Sequence, residues 1–589
     1  MTTKSYFVRT ALPALAFGAL TLLGGCGGAT QTSAPTLPIF GDVIPLTAFD
    51  VDLIIARAIA ATNRNDVHVA VVDRTGGILG VYSTASSAAQ DEDNIAIALA
   101  RTTAYFSNSQ APLSSRTVET LSTFHFPPTF GAPFLAPTNW PNSVPLSNAL
   151  NFLPPRRTTT GIAGTPQGPL WQINSTNRGA DIETGATNPA TLFNDSARAA
   201  PFPFGEPLFS PSLNFDGSAP SPGIVLLPGA VPLFKANSFG VPRLVGGVGV
   251  YVGVNAFVNP DVELAEFLAI EGASGREARD GQSDFFANVR AEGEITIVGI
   301  LLPYVKQTTR PAGAAAGFLP GNFGADPNYL FLQLAGGQID PFNYLIGPRA
   351  AASGANQAPA NGANSLTQLD VERIINQVVT SSNRTRAQVR LPLGSGAKVI
   401  ATVVDTRGLI LAHFRMEDTL CDAVDVVPAK ARSVVYYCLP STLSTSAFAN
   451  NDVWPGFPTN DPRGIALTTR TLGFLSQPFY PPGIDSLTPG PLYPLALANQ
   501  LPTQIDRWGN AAPDPGYQNG LTFFPGSVPL YKNGQLVGAL GVSGDGVEQN
   551  DLIAFDGGAG FEPPPELRID NFTFNGVRLP YLKFPETPR

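Results

Sequence analysis

The most chemically suggestive spacing in the chain is a histidine and an arginine two residues apart. His413 and Arg415 lie in the apolar run Leu409-Ile410-Leu411-Ala412-His413-Phe414-Arg415. On a β-strand alternate residues share a face, so this pair would turn an imidazole and a guanidinium toward one pocket. Met416 follows directly, and Lys430 stands on a predicted helix further on. The ordinary alternative is a strand-edge histidine and an arginine paired with Glu417 or Asp418. A second spacing is Gly541-Val542-Ser543-Gly544-Asp545-Gly546. Its exposed amides, around Ser543 and Gly544, could cradle an anion, although glycine-rich turns between strand and helix are common without a ligand. No Gly-Lys-Ser/Thr follows, so this is not a phosphate loop.

The residues do not assemble a catalytic set. There is no Gly-x-Ser-x-Gly elbow and no His-Glu-x-x-His. The three histidines, His68, His125 and His413, do not pair at metal-ligand spacing. Asp73 and Asp405 begin predicted turns, and Glu548 and Asp551 sit near a helix start, where acids favour the helix dipole. Each has a sufficient structural explanation, so binding or scaffolding is preferred over catalysis.

The elements that must hold these residues occur twice. Val528, Leu530 and Tyr531 lead into Asn533-Gly534, the signature of a tight type I′ hairpin turn. A glycine-punctuated strand, Leu536 to Val542, follows, then a predicted helix from Glu548 to Phe555. The same order runs from Leu227 to Glu271. Upstream, Leu46 to Ile55 matches Leu366 to Ile375, each a helix opened by a threonine three residues before an aspartate. The strand–turn–strand His68 to Leu79 matches Ile400 to Leu411, and the helix Ala98 to Phe106 matches Ala429 to Tyr437. Gly299 to Lys306 matches Gly576 to Lys583. Two long insertions, 107–222 and 439–520, also share motifs. Ser114-Ser115-Arg116-Thr117 precedes Phe126-Pro127, as Thr468-Thr469-Arg470-Thr471 precedes Tyr480-Pro481. Their aromatics, Trp140, Trp171, Phe202, Phe204, Trp454, Phe479 and Trp508, predict ordered wraps. Residues 307–365 form a Gly/Ala/Pro/Asn-rich linker, within which Tyr329 to Tyr344 is apolar enough to dock.

At 589 residues, the chain needs two domains or more. Its 59 glycines and 56 prolines predict many turns. The net charge of −9 argues against a nucleic-acid partner. Lys4 and Arg9 precede an apolar run, Ala11 to Leu23, too short to span a bilayer. Leu23-Gly24-Gly25-Cys26 then resembles a bacterial lipobox. The expectation is a signal peptide over 1–25, lipidation at Cys26, a tether over 26–44 and an outer-membrane anchor. In an oxidising compartment Cys421 and Cys438 are expected to form a disulfide. No other stretch is long and apolar enough to span a membrane.

The order helix, Val-Val-Asp-x-x-Gly hairpin, Lys-Ala helix, Pro-Gly-x-Val-Pro-Leu, Asn-Gly, Val-Gly-Ala-x-Gly-Val-Ser-Gly and acidic helix resembles the GlcG/HbpS-like family of haem-binding or haem-degrading proteins. The likeness is strongest at Val403-Val404-Asp405, Gly408, Arg415-Met416-Glu417, Lys430-Ala431, Pro525-Gly526, Pro529 and Val537 to Gly544. It implies an α+β fold of two tandem profilin-like domains, 45–306 and 366–589, each an antiparallel sheet flanked by helices. It also implies haem or another small molecule as ligand, through His413, Arg415, Met416, Lys430, Ser543 and Gly544. The first domain departs from the pattern: Tyr82-Ser83-Thr84 stands against Arg415-Met416-Glu417, Leu99 against Lys430, and Tyr251-Val252 against Ser543-Gly544. The expected function is an exported, lipid-anchored binding protein acting mainly through its second domain. The alternative is a non-catalytic scaffold, with a protein partner or a second copy. A haem-degrading or redox enzyme is the third reading.

Overall fold

The computed structural model describes residues 43–84, 90–123, 125–127, 162, 164–171, 173, 224–253, 260–275, 284–286, 293–306, 310–315, 329–331, 343–351, 364–440, 461–477, 479–482, 489–493 and 522–583. Cys26, the apolar run before it, Trp140, Phe202, Phe204, Trp454, Trp508 and most of both insertions lie outside these residues.

Helices open where the capping residues sit. Thr47 and Thr367 each accept from the amide three residues on, and Asp50 and Asp370 reach back, closing capping boxes. These start helices α1 (Ala48–Ala60) and, in the second half, α5 (Gln368–Arg384). Lys235 and Lys532 clamp the same aspartates at 2.7 and 2.8 Å.

In the first half, β1 (Val67–Asp73), β2 (Ile78–Ser83), β3 (Ala230–Ala236) and β4 (Pro242–Val252) pair antiparallel. Joined by β7 (Tyr329–Phe331), they form a sheet in the order β3-β4-β1-β2-β7. The second half repeats the order. Strands β9 (Ile400–Asp405), β10 (Ile410–Arg415), β11 (Ser527–Lys532), β12 (Gln535–Ser543) and β8 (Asn343–Ile346) form β11-β12-β9-β10-β8. The linker therefore supplies an outer strand to both sheets, where composition suggested a flexible connector. Short hairpins β5–β6 (Thr296–Ile297, Ile300–Leu301) and β13–β14 (Thr573–Phe574, Val577–Arg578) close the two halves.

The predicted turns form for the reasons given. Asp73 Oδ1 takes the amides of Thr75 and Gly77, and Asp405 Oδ1 takes those of Arg407 and Leu409. Asn533 and Gly534 both have positive φ, 52° and 72°, as a type I′ turn requires.

Helices cover both faces of each sheet. In the first half α1 and α4 (Val262–Ser274) pack on one face and α2 (Gln90–Phe106) on the other. In the second half α5 and α8 (Val547–Gly557) oppose α6 (Ala423–Cys438). The shorter helices α3 (Ser115–Leu121) and α7 (Thr469–Leu475) open the insertions. Strand β1 is buried from end to end because both faces are covered.

The halves share a core in which Phe106, Leu113 and Leu121 meet Val389, Leu420 and Val424. Hydrogen bonds frame it: Arg74 donates to the Thr419 carbonyl at 3.0 Å, and Asn108 to that of Val389 at 2.9 Å. Asp418 accepts from Ser109 and Arg390. Burial pushes the Asp418 carboxyl up, but Arg390 and Arg74 outweigh it and hold it below its ordinary value.

Two expectations fail on geometry. Cys421 and Cys438 are buried and not joined by a disulfide. The whole of α6 lies between them, which at about 1.5 Å per residue separates them by roughly 20 Å or more, against about 7 Å for a disulfide. Burial pushes the Cys438 thiol up to about 12. The register also differs by one from the sequence pairing. Ser83 lies opposite His68 as Arg415 lies opposite Ile400, so Ser83, not Tyr82, is the counterpart of Arg415.

A Cβ at Gly541 would stand 2.5 Å from the Val427 carbonyl oxygen of α6, whereas one at Gly347 would meet open space. Gly541→Ala should cost about 1–3 kcal/mol and Gly347→Ala under about 0.5 kcal/mol. The shift in denaturant midpoint checks both.

Candidate functional site

The six residues nominated from sequence separate into two groups. His413, Arg415 and Met416 are fully buried. Strand β10 is interior, flanked by β9 and β8, so His413 is not at an edge. Its Nδ1 lies 2.6 Å from Thr402 Oγ1 on the neighbouring strand, and its Nε2 is buried without a partner. Burial, then Arg415 and Arg432, push His413 down to about 3, so the ring is neutral. Arg415 donates to the Thr419 carbonyl at 2.6 Å and to Cys421 Sγ at 3.2 Å. Its suggested partners are engaged elsewhere, Glu417 with Arg243 and Asp418 with Arg390. Imidazole and guanidinium do share a strand face, but that face is packed.

Lys430, Ser543 and Gly544 do come together. Lys430 is carried in from α6 and donates to the carbonyls of Pro525 and Val542 and to Ser543 Oγ at 2.9–3.1 Å. Burial pushes it down to about 7, against the opposing pull of Asp422 and Asp551. These residues border a cavity of about 60 Å³, space for water or a very small group. Apolar side chains of the first half, including Phe106, Leu121 and Ile173, close it. In the first half Leu99 faces Gly229 much as Lys430 faces Gly526, and Tyr251 takes the register position of Ser543. There the polar contact is replaced by an apolar one.

The larger cavity adjoins this one across Pro169, Phe524 and Val547. It measures about 500 Å³ and is walled by Trp171 and Pro169 from the first insertion and by Phe474 and Phe523 from the second half. Arg470, Gln167, Gln477 and Thr522 line it, and each keeps a buried polar atom without a partner: Nη2, the two Oε1 atoms and Oγ1. Lys583 stands exposed at its rim. Apolar walls with a few convergent polar groups are the usual composition of a small-molecule site, and such sites run to about 300–1,000 Å³. Sequence reading missed this site because its walls come from segments hundreds of residues apart. A wider, polar cleft of about 1,150 Å³ lies between α5 and α8. Among the described residues no cluster of three or more His, Cys, Asp or Glu could hold a metal, and no helix is long and apolar enough to cross a membrane.

Residues 370–558 match a family model described as "Haem degrading protein HbpS-like". The chain is similar to the crystal structure of the Klebsiella pneumoniae protein ORFY, of the DUF336 family, with 20% identity over 35% of this chain and 94% of that one and a TM-score of 0.20. It is similar to a PduOC:heme complex, with 20% identity over 33% and 94% and a TM-score of 0.18. It is also similar to HbpS, with 17% identity over 36% and 99% and a TM-score of 0.20. No curated protein sequence matches the chain.

His413 has a folded pKa of about 3 against 6.5 for the free side chain. The unfolded chain therefore binds the extra proton between these values, and stability falls as pH drops from 6.5 toward 3, by at most about 1.4 kcal/mol per unit. His413→Met should lack that component. Urea denaturation of both proteins at pH 7, 5.5 and 4.5 measures the difference.

Proposed function

We propose that this chain is a non-catalytic small-molecule-binding lipoprotein built from two tandem HbpS-like domains, exported and anchored through lipidated Cys26. The second domain carries the ligand site and the first serves as its fused partner. The observation that carries this reading is the 500 Å³ cavity walled by aromatic residues of both halves and lined by the polar residues Arg470, Gln167, Gln477 and Thr522. The matching strand orders of the two sheets support the tandem arrangement, and the lipobox-like Leu23 to Cys26 supports the anchor.

The family description points to haem. The cavity suits part of it: Arg470 and Lys583 could meet the propionates, and the aromatic walls the ring. Its described lining has no His, Cys, Met or Tyr to ligate iron. Haem, when bound, would bring redox chemistry at its iron, and this chain's contribution would be confined to holding the acid groups and excluding water. The ligand class that fits best is therefore a flat organic acid, haem being one case. The scaffolding alternative finds support in the first half, where Leu99 and Tyr251 stand in place of Lys430 and Ser543. That half contributes walls.

Two experiments follow. Haem titrated into the full chain in detergent should raise the unfolding midpoint by mass action without the Soret shift that a histidine or methionine ligand produces. Phe474→Ala should weaken that binding about tenfold, and the absence of stabilisation by haem and by a panel of flat acids would leave scaffolding in front. Cys26→Ser should move the protein out of the membrane fraction and abolish incorporation of labelled palmitate.

A further inference from the structure

We infer that the open cleft between α5 and α8 is a docking site for a short acidic segment of a partner protein. The cleft is separate from the aromatic-walled cavity, and the inference does not depend on the ligand reading above. It comes from setting the outer helix pair of each half beside the other. The pairs correspond. Arg116 grips Glu266 of α4, Nε to Oε1 at 2.7 Å and Nη2 to Oε2 at 3.1 Å, where Arg470 Nε meets Asp551 of α8 at 2.5 Å. Lys306 pairs with Glu263 as Lys583 pairs with Glu548.

In the first half a stretch of chain lies across the junction of α1 and α4. The Ala315 amide donates to the Ala61 carbonyl at 2.7 Å, and Thr62 Oγ1 to that of Gly313 at 2.6 Å. Arg310 stands over the Phe267 ring of α4, and Ala314 packs against the first-half core. Beside this stretch Arg64 is fully engaged, with Nε and Nη2 on the Asp66 carboxylate at 2.7 and 2.5 Å. In the second half the junction is an open cleft of about 1,150 Å³. Arg373, Asn376, Thr380 and Arg384 line it, exposed, at spacings of three and four, so they share one face of α5. Arg386 lines it just beyond the helix end and is exposed too. Among the described residues the Arg384 and Arg386 side chains have no hydrogen bond or ion pair. The lining acids are each met from within the chain: Glu372 by Gln368, Glu548 by Lys583 and Asp556 by Ser381. The unanswered charge in the cleft is therefore positive, and carboxylates match it in charge and in geometry. From Arg373 to Arg384 the helix face runs roughly 16 Å, room for five or six residues of a bound segment. The first-half stretch, Arg310 to Ala315, has that length.

The test uses the full chain in detergent at pH 7 and two fluorescent peptides that keep the small residues of the first-half stretch: Glu-Glu-Pro-Ala-Gly-Ala-Ala and its analogue with both glutamates replaced by glutamine. Fluorescence anisotropy reads their binding. The acidic peptide should bind about tenfold more tightly at about 50 mM salt, since two exposed ion pairs contribute a few-fold each. The two peptides should converge at about 500 mM salt, where such pairs are screened. Arg384→Gln combined with Arg386→Gln should bring the ratio to about one and leave the unfolding midpoint unchanged, because both side chains are exposed. Asn376→Trp, which fills the middle of the cleft, should block both peptides. Equal binding of the two peptides by the wild type, a ratio that survives the double substitution, or binding of neither peptide would overturn the inference and leave the reading of the aromatic-walled cavity in place. Self-association of the chain that the double substitution abolishes would give the cleft to a second copy and overturn it as well.

Discussion

Both halves depend on a close approach between a helix backbone and a strand that has no side chain to hold it off. A Cβ at Gly249 would lie 2.3 Å from the Ala96 carbonyl oxygen, and one at Gly541 would lie 2.5 Å from that of Val427. Gly247 presses on Ala100 in the same way. These contacts draw α2 onto β4 and α6 onto β12. The helices cannot slide without meeting backbone, so their ends are fixed. The end of α2 carries Tyr105 and Phe106 into the core shared by the halves, and the Tyr105 carbonyl accepts the Asp422 amide at 3.2 Å. The middle of α6 delivers Lys430 to the ends of β11 and β12.

Tight packing forces polar groups inside, and the structure meets them with backbone oxygens. Arg101 and Arg432 are buried, and each gives Nε to the carbonyl of a turn glycine, Gly76 at 2.9 Å and Gly408 at 2.8 Å. Those glycines have φ of 82° and 78°, so the turn geometry that exposes the carbonyl needs glycine. Asp73 and Asp405 fasten the same turns from inside. One aspartate, one glycine and one arginine thus form a unit in each half, tying a hairpin to the helix that crosses the sheet. A buried arginine satisfied in this way supports the fold, and Arg415 belongs with them despite its suggestive spacing beside His413.

What was legible in the sequence was local. The capping boxes, the Asp-x-x-Gly turns, the Asn533-Gly534 hairpin and the repeated order each rest on residues within a few positions of one another. The failures came where distance mattered. Cys421 and Cys438 looked like neighbours across a helix, but a helix separates its ends. A one-residue slip that sets Tyr82 against Arg415 preserves composition, while on a strand it reverses the face. The linker's role as an outer strand for both sheets could not be read from its glycines and alanines. At the site, Lys430, Ser543 and Gly544 are legible as a group because they lie on the matched core, and the structure brings them together. Arg470 shows in the sequence only as part of a repeated motif, and Asp551 only as an acid near a helix start. Their pairing spans 81 residues and carries meaning only beside Arg116 and Glu266.

That comparison also explains why two similar halves need not do the same work. The first half is closed at each point where the second is open or polar. Leu99 fills where Lys430 bonds, Tyr251 stands where Ser543 accepts, and Glu266 saturates an arginine that Asp551 leaves half satisfied. The first two changes exchange a satisfied polar contact for an apolar one, and the third gives the arginine both of its carboxylate bonds. Unmet groups belong to cavity-lining residues of both halves, Gln167 from the first and Arg470, Gln477 and Thr522 from the second. Unmet polar atoms against an aromatic wall are costly to a scaffold and useful to a receptor.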